Sequence, residues 1–213
     1  MPRDYTPADS LLIQLDHALR TVFGRPHVTE RADPADGLPE ADLADAERDH
    51  VARLMRINHT GEVCAQALYQ GQAITARLPG VRDSMARAAA EENDHLDWCE
   101  RRVHELGGRL SLLNPLFYAG SFVIGAAAGL AGDKWSLGFV AETERQVERH
   151  LDEHLAEVPV EDTRTHAVLE QMKADEVGHA TKAVEAGAAA LPAPIRDAMR
   201  LTAKVMTTAV YRV

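Results

Sequence analysis

The chain has 213 residues, 46% of them hydrophobic and 26% charged, which suits one domain, or one domain with an appendage, built round a real core. With 23 basic and 33 acidic side chains the formal net charge is −10, which excludes a general nucleic-acid binder, since that needs a basic surface to displace phosphate counterions. Two cysteines, Cys64 and Cys99, are too few for a disulfide scaffold or a thiolate zinc site, and 5% aromatic residues beside abundant alanine favour close-packed helices over sheets.

At the start, Met1 to Tyr5 show no basic stretch leading into an apolar one, so no secretory signal is read and a reducing, cytoplasmic-side location is expected. Residues 9–23 read as a short amphipathic helix with Asp9 or Ser10 as its N-cap and Leu11, Leu12, Leu15, Leu19 and Val22 on its apolar side. Residues 24–46, rich in Gly, Pro and acids, read as a linker, so residues 1–44 are expected to form an N-terminal helix and linker ahead of a domain at 45–213. In that domain the periodicity predicts four long helices over about 45–77, 82–106, 134–157 and 162–190, and a last one over about 193–211. No run of strict alternation supports a strand. The fold class expected is all-α.

An amphipathic helix turns its apolar stripe inward and its charges outward. Each long helix breaks that rule in the same way. The stripe Val51, Met55, Asn58, Ala65, Tyr69 contains Glu62, and Val81, Met85, Ala88, Ala89, Leu96, Cys99, Val103 contains Glu92 and, three residues on, His95. The third, Leu137, Val140, Ala141, Val147, Leu151, Leu155, contains Glu144, and the fourth, Val168, Leu169, Met172, Ala180, Ala183, Val184, contains Glu176 and His179. Buried carboxylates are costly unless paired, hydrogen-bonded or metal-bound. The order Glu, Glu-x-x-His, Glu, Glu-x-x-His is that of bundle proteins with a carboxylate di-iron or di-manganese centre. The spacing from single Glu to motif is 30 residues in the first half and 32 in the second.

Chance weighs against any single motif. With 17 Glu and 10 His, about 0.8 Glu-x-x-His matches arise at random, and a third match, Glu47 to His50, sits in a charged stretch that reads as solvated surface. What carries weight is the stripe position of both other motifs together with Glu62 and Glu144. Four carboxylates would neutralise two Fe²⁺ ions, whereas without metal they would repel and some would stay protonated. Buried salt bridges are the competing explanation. Glu91, four residues before His95, and Asp175, four before His179, stand where a carboxylate can hold an imidazole N–H, or are plain surface acids.

The string Arg56, Ile57, Asn58, His59, Thr60, Gly61, Glu62, with Ala65, Gly71 and Gln72 after it, resembles the opening motif of the demethoxyubiquinone hydroxylases. So do the segments Glu91 to Leu96, Val140 to Glu144 and Asp175 to His179, and the likeness covers about residues 45–213. The resemblance implies a ferritin-like four-helix bundle and two iron ions, with Glu62, Glu92, His95, Glu144, Glu176 and His179 as ligands and Glu92 and Glu176 bridging. It implies O₂-dependent hydroxylation of a polyprenylated methoxy-methyl-benzoquinol, and an external two-electron donor for which NADH is a candidate. Other proteins of ubiquinone synthesis are candidate partners. His150 falls where the family has a histidine near the site. Six residues from Glu144 is not the same helix face, so only an outer role is expected of it, and Leu151 beside it leaves no phenol there.

Residues 110–132 carry no charge, and as a continuous helix would reach ~35 Å, enough to cross a bilayer. Pro115 and four glycines make a poor spanning helix, and one crossing would put the halves of the metal site on opposite sides. The insert is therefore expected to be either buried core or an apolar surface that dips into one leaflet and admits a lipid-like substrate. From Pro192 on, Arg196, Arg200, Lys204 and Arg212 face only Asp197, and the first three are spaced by four. A basic helix beside an uncharged insert suits a peripheral protein on the anionic, cytoplasmic face of a cell membrane. Two other readings stay open: a ferritin- or erythrin-like iron-oxidising protein, and a metal-free helical scaffold on a membrane surface.

Overall fold

The computed structural model describes residues 6–25, 28–29 and 31–213. Residues 1–5, on which the leader reading rests, lie outside them, as do the side chains of Ser10, Leu11 and Met85. Among the described residues there are seven helices and no strand: α1 (Pro7–Phe23), α2 (Asp45–Thr75), α3 (Pro79–Glu105), α4 (Asn114–Leu130), α5 (Asp133–Glu157), α6 (Thr163–Glu185) and α7 (Ala193–Val210). The all-α, ferritin-like expectation holds: α2, α3, α5 and α6 form the four-helix bundle that surrounds the carboxylates, with the insert helix α4 and the C-terminal α7 added.

Boundaries moved where local chemistry outweighed the apolar pattern. α1 is capped by Thr6 rather than Asp9 or Ser10, because the Thr6 hydroxyl accepts from Asp9 N at 3.2 Å while the Asp9 carboxylate accepts from Thr6 N at 2.9 Å. α3 begins at Pro79 instead of after it, since the first turn needs no N–H from proline and welcomes its fixed φ. Pro115 sits in the first turn of α4 for the same reason. α6 stops at Glu185, short of the expected 190, where Gly187 takes φ +96°.

Two helical hairpins, α2–α3 and α5–α6, are joined by α4, the crossover that returns the chain to the other end of the bundle. α4 lies tight on α2 through glycine: a Cβ at Gly71 would meet the Phe122 carbonyl, and one at Gly125 the Leu68 carbonyl. Thr60 Oγ1 donates to Asn114 Oδ1 at 2.8 Å, and Asn114 Nδ2 donates to His59 Nδ1 at 3.4 Å, so part of the Asn-His-x-Gly-Glu string holds the first turn of α4. One face of the insert is packed, as the core alternative expects, and the other exposes Leu116, Val123 and Leu130. α1 touches α4 and adds exposed Leu12, Leu15, Leu19 and Phe23. Among the described residues no helix is long and apolar enough to cross a membrane.

Two apolar plugs close the bundle at either end of the ligand layer. One gathers Val51, Leu54, Met55, Cys99, Val103, Leu151, Leu169 and Met172; the other Ala65, Val81, Leu137, Val140, Ala141 and Ala183. The segment read as a linker joins this core. Ala35 and Leu43 are buried in the first plug, and Glu40 takes both Nη1 and Nη2 of the buried Arg102 at 2.8 Å. Arg102 Nη2 also donates to Asp162 Oδ1 at 2.8 Å, whose carboxylate caps α6 through Thr165 N. Alternating prolines, acids and alanines gave no periodicity from which this strap could be read.

Candidate metal centre

Each of the four bundle helices carries its acid near mid-length, between the plugs, where the stripe of one helix faces the stripes of the others. Glu62 on α2, Glu92 and His95 on α3, Glu144 on α5, and Glu176 and His179 on α6 are all buried. They form two donor sets, Glu62, Glu92, His95, Glu176 and Glu92, Glu144, Glu176, His179, in each of which one donor atom per residue lies within 4.8 Å of the rest. Glu92 and Glu176 belong to both. Both imidazoles turn Nδ1 inward: His95 Nδ1 stands 3.1 Å from Glu92 and 3.3 Å from Glu176, and His179 Nδ1 3.2 Å from each of the same two acids.

The outer nitrogens meet the two acids noted in the sequence, but across helices rather than along them. His95 Nε2 and Asp175 Oδ2 are 2.9 Å apart, and His179 Nε2 and Glu91 Oε2 are 2.6 Å apart. An acid four residues before a histidine lies over the preceding turn of its own helix, whereas the facing helix presents an acid end-on to the imidazole. The pairing expected within each helix is therefore corrected to α3 with α6 and α6 with α3. His150 keeps to another face of its helix. Six residues turn it about 240° round α5 from Glu144, and it packs on His154, ring centres 3.9 Å apart, with Nδ1 3.7 Å from Glu153. Glu47 caps α2 by accepting from Ala44 N at 3.0 Å, and His50 bonds the Tyr211 hydroxyl at 2.8 Å, so the third Glu-x-x-His match is structural.

One contact escaped the sequence reading. Tyr69, counted among the apolar stripe, donates its hydroxyl to Glu144 Oε1. The available signal was its position seven residues, two helical turns, beyond Glu62. Beside it a cavity of about 170 Å³ opens onto the centre between Tyr69, Ala88, Glu91, Val140 and His179, with Arg87 and Lys182 at its rim. No residue of 110–132 lines it, so the cavity lends no support to substrate access through the insert.

The protonation pattern fits a site built for cations. Burial, then the Glu92 carboxylate, raises Glu62 well above the usual carboxylate range, and burial, then Glu176, does the same to Glu144. Burial also works against charge on the histidines, but hydrogen bonds accepted by Asp175, Glu176, Glu62 and Glu92 lift His95 well above its ordinary value, and Glu176 and Glu92 push His179 up to about 12. Glu92 Oε1, though 3.2 Å from His179 Nδ1, is off the hydrogen-bond line and is a buried acceptor without a donor. Six convergent oxygen and imidazole donors without thiolate match iron or manganese.

Comparison with known proteins points the same way. Residues 49–210 match the family model described as Ubiquinone biosynthesis protein COQ7. The chain is 57% identical over 211 residues to the 3-demethoxyubiquinol 3-hydroxylase of Stutzerimonas stutzeri strain A1501, covering 99% of this chain and 98% of that one. It is 58% identical over 214 residues to the enzyme of that name from Pseudomonas fluorescens strain SBW25, again 99% and 98% covered. Against that of Nitrosococcus oceani it is 56% identical over 209 residues, with 98% of each covered. These relatives carry hydroxylase names, which favours neither the iron-oxidising nor the scaffold reading. The chain belongs to the COQ7 family of ubiquinone biosynthesis proteins.

Proposed function

We propose that the protein is an O₂-dependent hydroxylase of a polyprenylated methoxy-methyl-benzoquinol, the demethoxyubiquinol step named for its relatives, working through two iron ions. The observation that carries the reading is the pair of donor sets sharing Glu92 and Glu176. Glu62 and His95 would hold one ion, Glu144 and His179 the other, and Glu92 and Glu176 both. When bound, the two ferrous ions supply the chemistry that reduces O₂ so that one oxygen atom enters the ring and the other leaves as water, with two electrons from an external donor, NADH being a candidate.

The chain's own residues prepare that chemistry. The two apolar plugs exclude water, Asp175 and Glu91 fix the imidazole orientations, and Tyr69 holds a proton at its hydroxyl against Glu144 Oε1. Residues 45–213 make the working unit, with 1–44 as an N-terminal helix and strap. The exposed apolar faces of α1 and α4, and the basic residues of α7, support a peripheral seat on the cytoplasmic face of an anionic membrane, where the prenyl tail of the substrate lies and other proteins of the synthesis would meet it. The test is to load the protein with Fe²⁺ without oxygen, admit isotopically heavy O₂ with a short-chain demethoxyquinol, and read products by mass spectrometry. One heavy oxygen atom in the ring is expected; an unchanged quinol with consumed O₂ would reject hydroxylation.

A further inference from the structure

Arg31 lies outside the matched residues 49–210, in the strap, yet it reaches the rim of the metal centre. Its Nη2 donates to Asp175 Oδ2 at 2.6 Å, and the same oxygen faces His95 Nε2 at 2.9 Å. Its Nε stands 3.9 Å from Asp94 Oδ2, and its guanidinium carbon lies 5.0 Å from the centre of the Trp98 ring, itself 5.5 Å from that of His95. Asp94 is buried and also takes the Thr29 backbone N–H at 2.7 Å, and Gln171 Nε2 donates to Asp175 Oδ1 at 3.0 Å. Arg31 is therefore gripped by three groups arranged round one histidine. Among the described residues no such clamp is seen at the other histidine: Glu91, which faces His179 Nε2, is approached by Lys182 Nζ only to 3.8 Å, from a side chain 63% exposed. The internal repeat of the sequence is broken at this point.

We propose that Arg31 is a positioning residue of the metal centre, holding Asp175 against His95 Nε2 so that the His95 half is the more preorganised and takes metal more tightly than the His179 half. The inference rests on the two-iron reading above. An imidazole whose outer N–H partner is itself clamped loses less rotational freedom on binding metal, while the one backed by Glu91 and an exposed lysine loses more. The strap is then part of the centre and not only a cover for the core.

The experiment titrates the full chain, without oxygen, with isotopically enriched Fe²⁺ and reads stepwise affinities and Mössbauer doublets. In Arg31→Gln one binding step should weaken about tenfold and one of the two ferrous doublets should change. Arg31→Met, which keeps the stem over Trp98 without a donor, should match it, and Arg31→Lys should recover most of the affinity. Glu40→Gln, which loosens the strap at its far anchor, should leave both doublets in place. Wild-type affinities in both Arg31→Gln and Arg31→Met, or a change in both doublets that Glu40→Gln reproduces, would overturn the proposal alone. Failure of the wild type to take up two Fe²⁺ would reject the two-iron reading and the proposal with it.

Discussion

Glu92 and Glu176 each serve both donor sets, so neither has a substitute within the centre. Glu92→Ala or Glu176→Ala should remove most of the bound iron, whereas Glu47→Ala should leave iron content unchanged; full occupancy in the first two variants would refute the ligand assignment. At this scale the sequence carried the residues but not their partners. A carboxylate on an apolar stripe is visible because stripe position follows from helical period alone. Whether Asp175 backs His179 or His95 depends on how α3 faces α6, which no spacing within one helix contains. Tyr69 illustrates the same limit, since a phenol on a stripe reads as core until the helix opposite supplies a carboxylate.

Helix α4 shows how an element can be half determined by its sequence. Its lack of charge and its glycines announce close packing, but which glycines pack is a matter of what they meet. Gly125 sits where a Cβ would strike the Leu68 backbone, while nothing stands within 4 Å of a Cβ at Gly120. Gly125→Ala should therefore destabilise the fold by about 2–3 kcal/mol through overpacking. Gly120→Ala, on the open face of the same helix, should be neutral or stabilising by up to ~1 kcal/mol. Denaturant unfolding of the two variants side by side checks both signs. Equal losses would show that α4 does not rest on α2 in this register.

Across the whole molecule, two buried histidines far from the ligand role set a pH response. Burial, then His150 and His50, pushes His154 down to about 3, and burial pushes His59 down to about 4. Unfolded, each takes up a proton near pH 6.5; folded, neither does until far lower, so the unfolded state binds more protons and stability falls as pH falls from about 6.5 towards 4. Each contributes a loss of about 1.4 kcal/mol per pH unit in that window. His154→Leu should flatten the dependence by one such share, and melting at pH 7 and pH 5 measures it; an unchanged slope would mean that His154 titrates normally in the fold. The exposed apolar and basic surfaces give a second molecule-wide expectation. The protein should sediment with anionic vesicles and release with salt. Val123→Glu should weaken that binding at all salt concentrations, and Gln at Arg196, Arg200 and Lys204 should weaken it chiefly at low salt, with iron content unaltered in both. Protein that stays in the supernatant at low salt would reject the membrane seat.

The sequence by itself determined the helical class, the four stripes and the six side chains that break them, because helical period converts residue number directly into face. It also marked the uncharged insert and the basic tail, since both are matters of local composition. Only the tertiary structure decided that Glu92 and Glu176 are shared, that each histidine is backed from the opposite helix, that the strap at residues 31–44 enters the core, and that α4 lies on α2 through Gly71 and Gly125. Those are relations between segments distant in the chain, fixed by the joint packing of all four bundle helices, and no local pattern of one helix encodes where another will lie.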